Sequence, residues 1–401
     1  MKPQFFRKVL KNGMTILFEK RDLPIVSVAF AVRNGGINET LEEKGISHFI
    51  EHMLYKGTPT RNSKQIAEEI EKKGGELNGF TDELITGFWC KMPSHHLNVA
   101  LDVLSDMIKN PLFDEKELEK ERNVIFEEIK MRRDIPQVYV LDKIQSELYT
   151  GTLGKGLIGT YETMSSIGRE KLIKKFKQVY TPNNLVLCVV GNANLDDVLN
   201  FVEKTFGDEK GNVPNIKFSL KNGVKIEKRK GIDQANLIFA YHTPLSSNKK
   251  SYAAFVLNTL MAGGMSSRLF SEIREKRNLA YAVKGDSDIF KKFSHNLIYV
   301  GTKKENVGIV RKLILEEFKK VANDFSEKEL AQVKEQLIGN YRLSMEDSQT
   351  QMINLLMHEI DGDAREFYMF EKKIKEVKLK DVKNLAKIKK YSFFALVPEK
   401  D

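Results

Sequence analysis

Cysteine is scarce in this chain, with two in 401 residues. Cys90 and Cys188 each lie in an apolar, strand-like run and lack metal-ligand spacing. A disulfide scaffold and a thiolate metal site are therefore excluded, and both residues are expected to be buried free thiols in a reducing, cytoplasmic setting. No stretch approaches the roughly 20 apolar residues needed to cross a bilayer. Met1 to Gly13 has no apolar core of the kind a secretory leader carries, so no membrane association is expected. The glycine-rich stretch Gly151–Gly159 lacks the spacing of a phosphate-cradling loop. Positive charge is in modest excess: 65 Lys and Arg against 55 Asp and Glu, a net +10. The lysines alternate with glutamates along helices and do not cluster with aromatics, so a nucleic-acid-binding face is not expected.

What the chain does have is His48-Phe49-Ile50-Glu51-His52, inside an apolar-periodic run that ends at Gly57. On a helix, His48 and His52 stand one turn apart on one face, and Glu51 joins them. Two imidazoles so placed can grip one metal ion, and a carboxylate beside them can take a proton from water. This is the HxxEH order, the inverse of the commoner HExxH zinc-protease helix. Three fixed residues in a pentapeptide also recur by chance, so the reading turns on a third ligand elsewhere. Asp114-Glu115-Lys116-Glu117 reads as a capping box opening a helix to about Arg133. On it Glu121 and Glu128 lie two turns apart on one face, while Glu127 points about 100° away. Glu128 is the candidate ligand and Glu121 the acid that orients a ligand or the water. On spacing alone a solvated, Glu-rich face is the better description of this helix.

Together, His48-x-x-Glu51-His52 and Glu121-Arg122-Asn123-Val124-Ile125-x-x-Glu128 resemble the insulysin, pitrilysin and mitochondrial-processing-peptidase family, in its two-domain single-chain bacterial or archaeal form. The resemblance runs over nearly the whole chain. It implies one zinc ion per chain on His48, His52 and Glu128, with Glu51 as general base for a zinc-bound water and Glu121 in support. The implied activity is endopeptidase cleavage of unfolded peptides in an enclosed chamber. The alternative is a non-catalytic or substrate-holding subunit of a peptidase complex, against which the intact set of five residues argues.

Other residues take different roles from pattern and from resemblance. Asn78-Gly79 reads by itself as a hairpin turn. The resemblance instead implies that Asn78, Gly79 and Phe80 belong to an edge strand that pairs with substrate, with Gly79 where alanine is usual. By pattern Arg274 belongs to a charged surface and Tyr281 to a core strand; the resemblance implies that both bind substrate and steady the oxyanion. Asn278 stands where the family usually has glycine, a substitution the left-handed conformation tolerates.

The second half repeats the first. Ala254 to Gly263 aligns with His48 to Gly57 without a gap, turning His48 into Ala254, Glu51 into Leu257, His52 into Asn258 and, further on, Glu128 into Asn340. The repeat points to two similar domains in tandem, and the resemblance implies an α+β fold in which each is a mainly antiparallel sheet with helices packed on it. The zinc-bearing domain is placed at 1–207, a Gly- and Pro-containing linker at 208–223 and the metal-free duplicate at 224–401. Because the family's chamber needs four such domains, a homodimer with sites shared between subunits is expected.

Overall fold

The computed structural model describes residues 4–399 and divides into two units. The first comprises residues 1–130, 156–217 and 344–367; the second comprises 131–155, 218–343 and 368–401. Each is a mixed sheet carrying helices, the α+β architecture that the resemblance implies.

In the first unit six strands lie in the order β1 (Gln4–Val9), β2 (Thr15–Lys20), β6 (Leu185–Gly191), β3 (Ile25–Val32), β5 (Thr86–Pro93) and β4 (Glu76–Thr81). Only the β2–β6 pair is parallel. The central strands read as near-continuous apolar runs because both faces are covered. Val26, Val28, Phe30 and Val32 enter a core shared with Ala100, Leu101, Leu104 and Ile108 of the helix Leu97–Lys109. The alternate residue Ser27 turns to the other face, where its hydroxyl meets that of Ser348 at 2.8 Å. That face is covered by the helix Ser348–Asp361, fastened by polar contacts. Arg7 and Arg33 both bind the Glu359 carboxylate at 2.8 Å, and Gln351 donates to Glu19 at 2.7 Å.

In the second unit the order is β7 (Val224–Arg229), β11 (Ser392–Pro398), β8 (Ala235–His242), β10 (Ser294–Thr302) and β9 (Ala280–Ile289), with β7–β11 parallel. Along β11, Phe393, Ala395 and Val397 enter the core with Val256, Leu260, Ile314 and Phe318. Phe394 and Ser392 face the helix Pro136–Leu148 instead, through Tyr139 and the carbonyl of Glu147.

Two helices thus lie across the 208–223 linker from the unit that holds them. Pro136–Leu148 belongs with the second sheet, and Ser348–Asp361 with the first. Each covers the sheet face left bare by its unit's own helices, which a division at residue 207 does not capture. No helix among the described residues is long and apolar enough to cross a membrane.

Candidate metal centre

The helix Ile46–Leu54 is anchored along one stripe. Phe49, Ile50, Met53 and Leu54 are fully buried in the first unit's core. Its N-terminus is held by the buried Glu39 carboxylate, which accepts from the backbone N–H of Gly45 and Ser47 at 3.0 and 2.8 Å. With the apolar stripe fixed, His48 and His52 turn the other way, their rings 4.6 Å apart and nearly edge to face.

The helix Glu115–Asp134 meets them. Asp114 caps it by accepting from the N–H groups of Lys116 and Glu117. Leu118 and Ile125 bury in the same core, and Glu121 and Glu128 fall on their stripe at i+3 and i+10. Arg122 ties the helix down by donating to the Met164 carbonyl and lying 5.4 Å over the Phe49 ring. Glu127, by contrast, is largely exposed.

The convergence is tight. Glu128 Oε2 lies 3.3 Å from His48 Nε2 and 3.8 Å from His52 Nε2. One ligand atom from each of the three residues falls within 4.8 Å of the others. A tetrahedral zinc with bonds of roughly 2.0–2.2 Å wants donors about 3.3–3.6 Å apart, close to the 3.3 and 3.8 Å from Glu128 to the two rings, so the residues fit the ion. The donor chemistry, two imidazoles and a carboxylate, leaves a fourth position open.

Glu121 is not a member of this triplet. Its Oε2 lies 3.0 Å from His52 Nδ1 and its Oε1 2.6 Å from Lys56 Nζ. Burial would raise the Glu121 pKa, but the hydrogen bonds from His52 and Lys56 outweigh it and hold the group below its ordinary range. Lys56 was not anticipated from sequence. Its place one turn beyond His52 was the available signal.

Glu51 lies on the strand side. Thr81 Oγ1 donates to Glu51 Oε2 at 2.6 Å. Burial, with the like charge of Glu128 adding to it, raises the Glu51 pKa above the usual carboxylate value. Asn78, Gly79 and Phe80 are in β4, so Asn78-Gly79 is strand and the hairpin turn falls after Thr81. β4 is the last strand of its sheet and pairs only with β5. A Cβ on Gly79 would come 2.6 Å from the Tyr55 hydroxyl and 3.1 Å from Glu51 Oε1. The Tyr55 phenol occupies the space that an alanine methyl would need.

Arg274 and Tyr281 belong to the second unit. Arg274 is half-exposed, its guanidinium 4.8 Å over the Phe270 ring. Asn278 has φ of +52°, the left-handed turn expected of it. Tyr281 is 47% exposed near the start of β9. In the helix that aligns with the histidines, Ala254 and Leu257 are fully buried. There Asn258 donates to the Asp286 carbonyl at 2.7 Å and to Ser287 Oγ at 2.9 Å, while Asn340 is exposed. Where the first unit brings His48, His52 and Glu128 together, the second uses its asparagine to strap helix to strand.

Residues 15–161 match the family profile "Insulinase (Peptidase family M16)", and residues 166–337 match "Peptidase M16 inactive domain". An uncharacterised zinc protease of Bacillus subtilis is 35% identical over 351 residues, covering 86% of each chain. Another, from Mycobacterium leprae, is 33% identical over 394 residues, covering 95% of this chain and 88% of that one. Among solved structures, a protease from Helicobacter pylori superposes with a TM-score of 0.92 at 21% identity, covering 99% of this chain and all of that one. A "peptidase M16 inactive domain" from Pseudomonas fluorescens gives 0.87 at 18% identity, covering 99% and 98%. These last two likenesses concern the fold.

Proposed function

The chain belongs to the insulinase family, peptidase family M16, and on that premise we propose that it is a zinc endopeptidase acting on extended peptides. The observation that carries this reading is the convergence of His48, His52 and Glu128 beside Glu51. His48 and His52 offer their Nε2 atoms and Glu128 a carboxylate oxygen to the ion. Bound there, zinc is a Lewis acid that makes water and a peptide carbonyl more reactive at neutral pH.

The remaining work falls to the chain's own groups. Glu121 takes the Nδ1 proton of His52 as its hydrogen-bond partner, leaving Nε2 as a lone-pair donor. Lys56 keeps Glu121 ionised. Glu51 accepts a proton from the attacking water and passes it to the leaving amine; its raised pKa brings it nearer the operating pH of a general base. Thr81 holds one Glu51 oxygen in place. The open edge of β4, through Asn78, Gly79 and Phe80, pairs with the substrate backbone as an added strand. Arg274 and Tyr281 are donors for substrate and for the oxyanion. We assign them to the zinc of a second copy of the chain in a homodimer.

The test is zinc content measured alongside hydrolysis of a mixed peptide pool. One zinc per chain is expected, with hydrolysis lost to a chelator and restored by added zinc. Stoichiometric zinc without any hydrolysis would overturn the reading.

A further inference from the structure

Tyr281 is held by a device that the reading above does not use. The register between β9 and β10 pairs Ala282 with Gly301 and Ala280 with Thr302, skipping Tyr281. This is a bulge, which re-aims the side chain it carries. The hydroxyl end of the Tyr281 ring lies over Gly301, where any side chain would overlap it. Its hydroxyl then reaches that of Tyr299 at 3.3 Å, and Tyr299 in turn donates to Asn236 Oδ1 at 2.6 Å. Tyr299 and Asn236 are each only 4% exposed. Gly301 pairs with Asn236 across β10 and β8, and Tyr299 precedes Gly301 by two, so all four residues share one face.

The chain of hydroxyls has a direction. Asn236 Oδ1 can only accept, and Nδ2 of the same amide donates to the Gln234 carbonyl at 3.3 Å, which fixes its orientation. Burial first, with the Tyr281 hydroxyl adding to it, holds the Tyr299 pKa well above that of a free phenol. Tyr299 therefore keeps its single proton and gives it to Asn236. The contact between the two phenols can be filled only by the proton of Tyr281. At 3.3 Å it is long for an O–H···O bond and is the weakest link.

We propose that Tyr299 and Asn236 are positioning residues for Tyr281. Their buried chain parks the Tyr281 hydroxyl over Gly301 as a donor in reserve. A negatively charged oxygen is a stronger acceptor than a neutral phenol and takes the proton over, at the cost of one long bond. This rests on the role given to Tyr281 under Proposed function.

The test uses the zinc-loaded, full-length protein with ring-13C tyrosine. The Tyr281 resonance, identified by its loss in Tyr281→Phe, is expected to move in Tyr299→Phe. It is also expected to move in Asn236→Leu, which is close in shape and removes the acceptor, should Tyr299→Phe fail to fold. With a peptide substrate, Tyr299→Phe is expected to lower kcat about ten-fold, the scale of one mis-set hydrogen bond, with KM little changed. That fall should vanish in a Tyr281→Phe background. An unmoved Tyr281 resonance, or an equal fall without the Tyr281 hydroxyl, would overturn the proposal. A wild-type protein that cleaves nothing would sink the peptidase reading, while the resonance still decides whether the chain holds Tyr281.

Discussion

His52 presents Nδ1 to Glu121 Oε2 at 3.0 Å, and this single contact decides which ring nitrogen remains for a metal. An ionised Glu121, with Lys56 on its other oxygen, accepts from the tautomer with its proton on Nδ1, and that tautomer has its lone pair on Nε2. Removing the charge of Glu121 should therefore weaken the metal site without touching a ligand. Glu121→Gln is expected to lower zinc affinity by roughly 10–100-fold, as for other acids that support a metal-binding histidine. Competition with a fluorescent chelator measures it; unchanged affinity would mean that Glu121 is only structural.

Gly79 and Tyr55 form a packing pair. A methyl on Gly79 would meet the Tyr55 hydroxyl at 2.6 Å, inside normal contact. Gly79→Ala should therefore push β4 or displace Tyr55 beside Glu51, at a cost of about 1–3 kcal/mol by the usual scale of overpacking. Reduced thermal stability and reduced kcat/KM are expected together. Tyr55→Phe in the same chain should recover most of both. Failure of that rescue would show that the two residues do not interfere.

Glu359 makes stability depend on pH. Burial would raise its pKa, but hydrogen bonds from Arg7 and Arg33 overcome this and hold it below the ordinary value. A depressed carboxylate pKa contributes stability that is present above the unfolded-state pKa, about 4.3 for glutamate, and is lost as pH falls through the folded value. Glu359→Gln is expected to destabilise the first unit by about 2 kcal/mol at pH 7, the scale of hydrogen bonds to charged groups. The gap should narrow as the pH falls below 4.3. Urea unfolding of both proteins across that range is the measurement, and a gap constant with pH would exclude the ion pairs as its cause.

The homodimer reading makes a different kind of statement. A Glu51→Gln chain and an Arg274→Ala chain, each inactive alone, should regain activity when mixed under conditions that exchange subunits. Persistent inactivity after demonstrated exchange would argue against sites shared between copies.

Much of this was legible before any coordinates. Helical spacing puts His48, Glu51 and His52 on one face and Glu121 with Glu128 on another, and Asp114 marks the start of the second helix; choosing Glu128 over a solvated acidic face took the resemblance to a family. The left-handed turn at Asn278 was expected from the resemblance, which puts a glycine there, and asparagine tolerates it. The edge strand at Asn78–Phe80 was not readable from the residues, since Asn-Gly is also a turn signal; the resemblance to a family supplied it. The helix Ser348–Asp361 is harder to read because its buried side mixes Met352, Leu355 and Leu356 with Ser348, Gln351 and Glu359, which blurs the apolar stripe. β1 is largely exposed, and its adjacent Phe5 and Phe6 followed by Arg7 and Lys8 give no apolar–polar alternation to mark a strand. Lys56 and the hydroxyl chain behind Tyr281 are tertiary pairings, set by which strands and helices meet.

The most direct test is turnover by Glu51→Gln loaded with zinc. The variant should retain one zinc per chain, because Glu51 is not among the three ligands, yet cleave peptides about 10²–10⁴-fold more slowly for want of a general base. A zinc-replete Glu51→Gln protein working at the wild-type rate would contradict the mechanism drawn from this site.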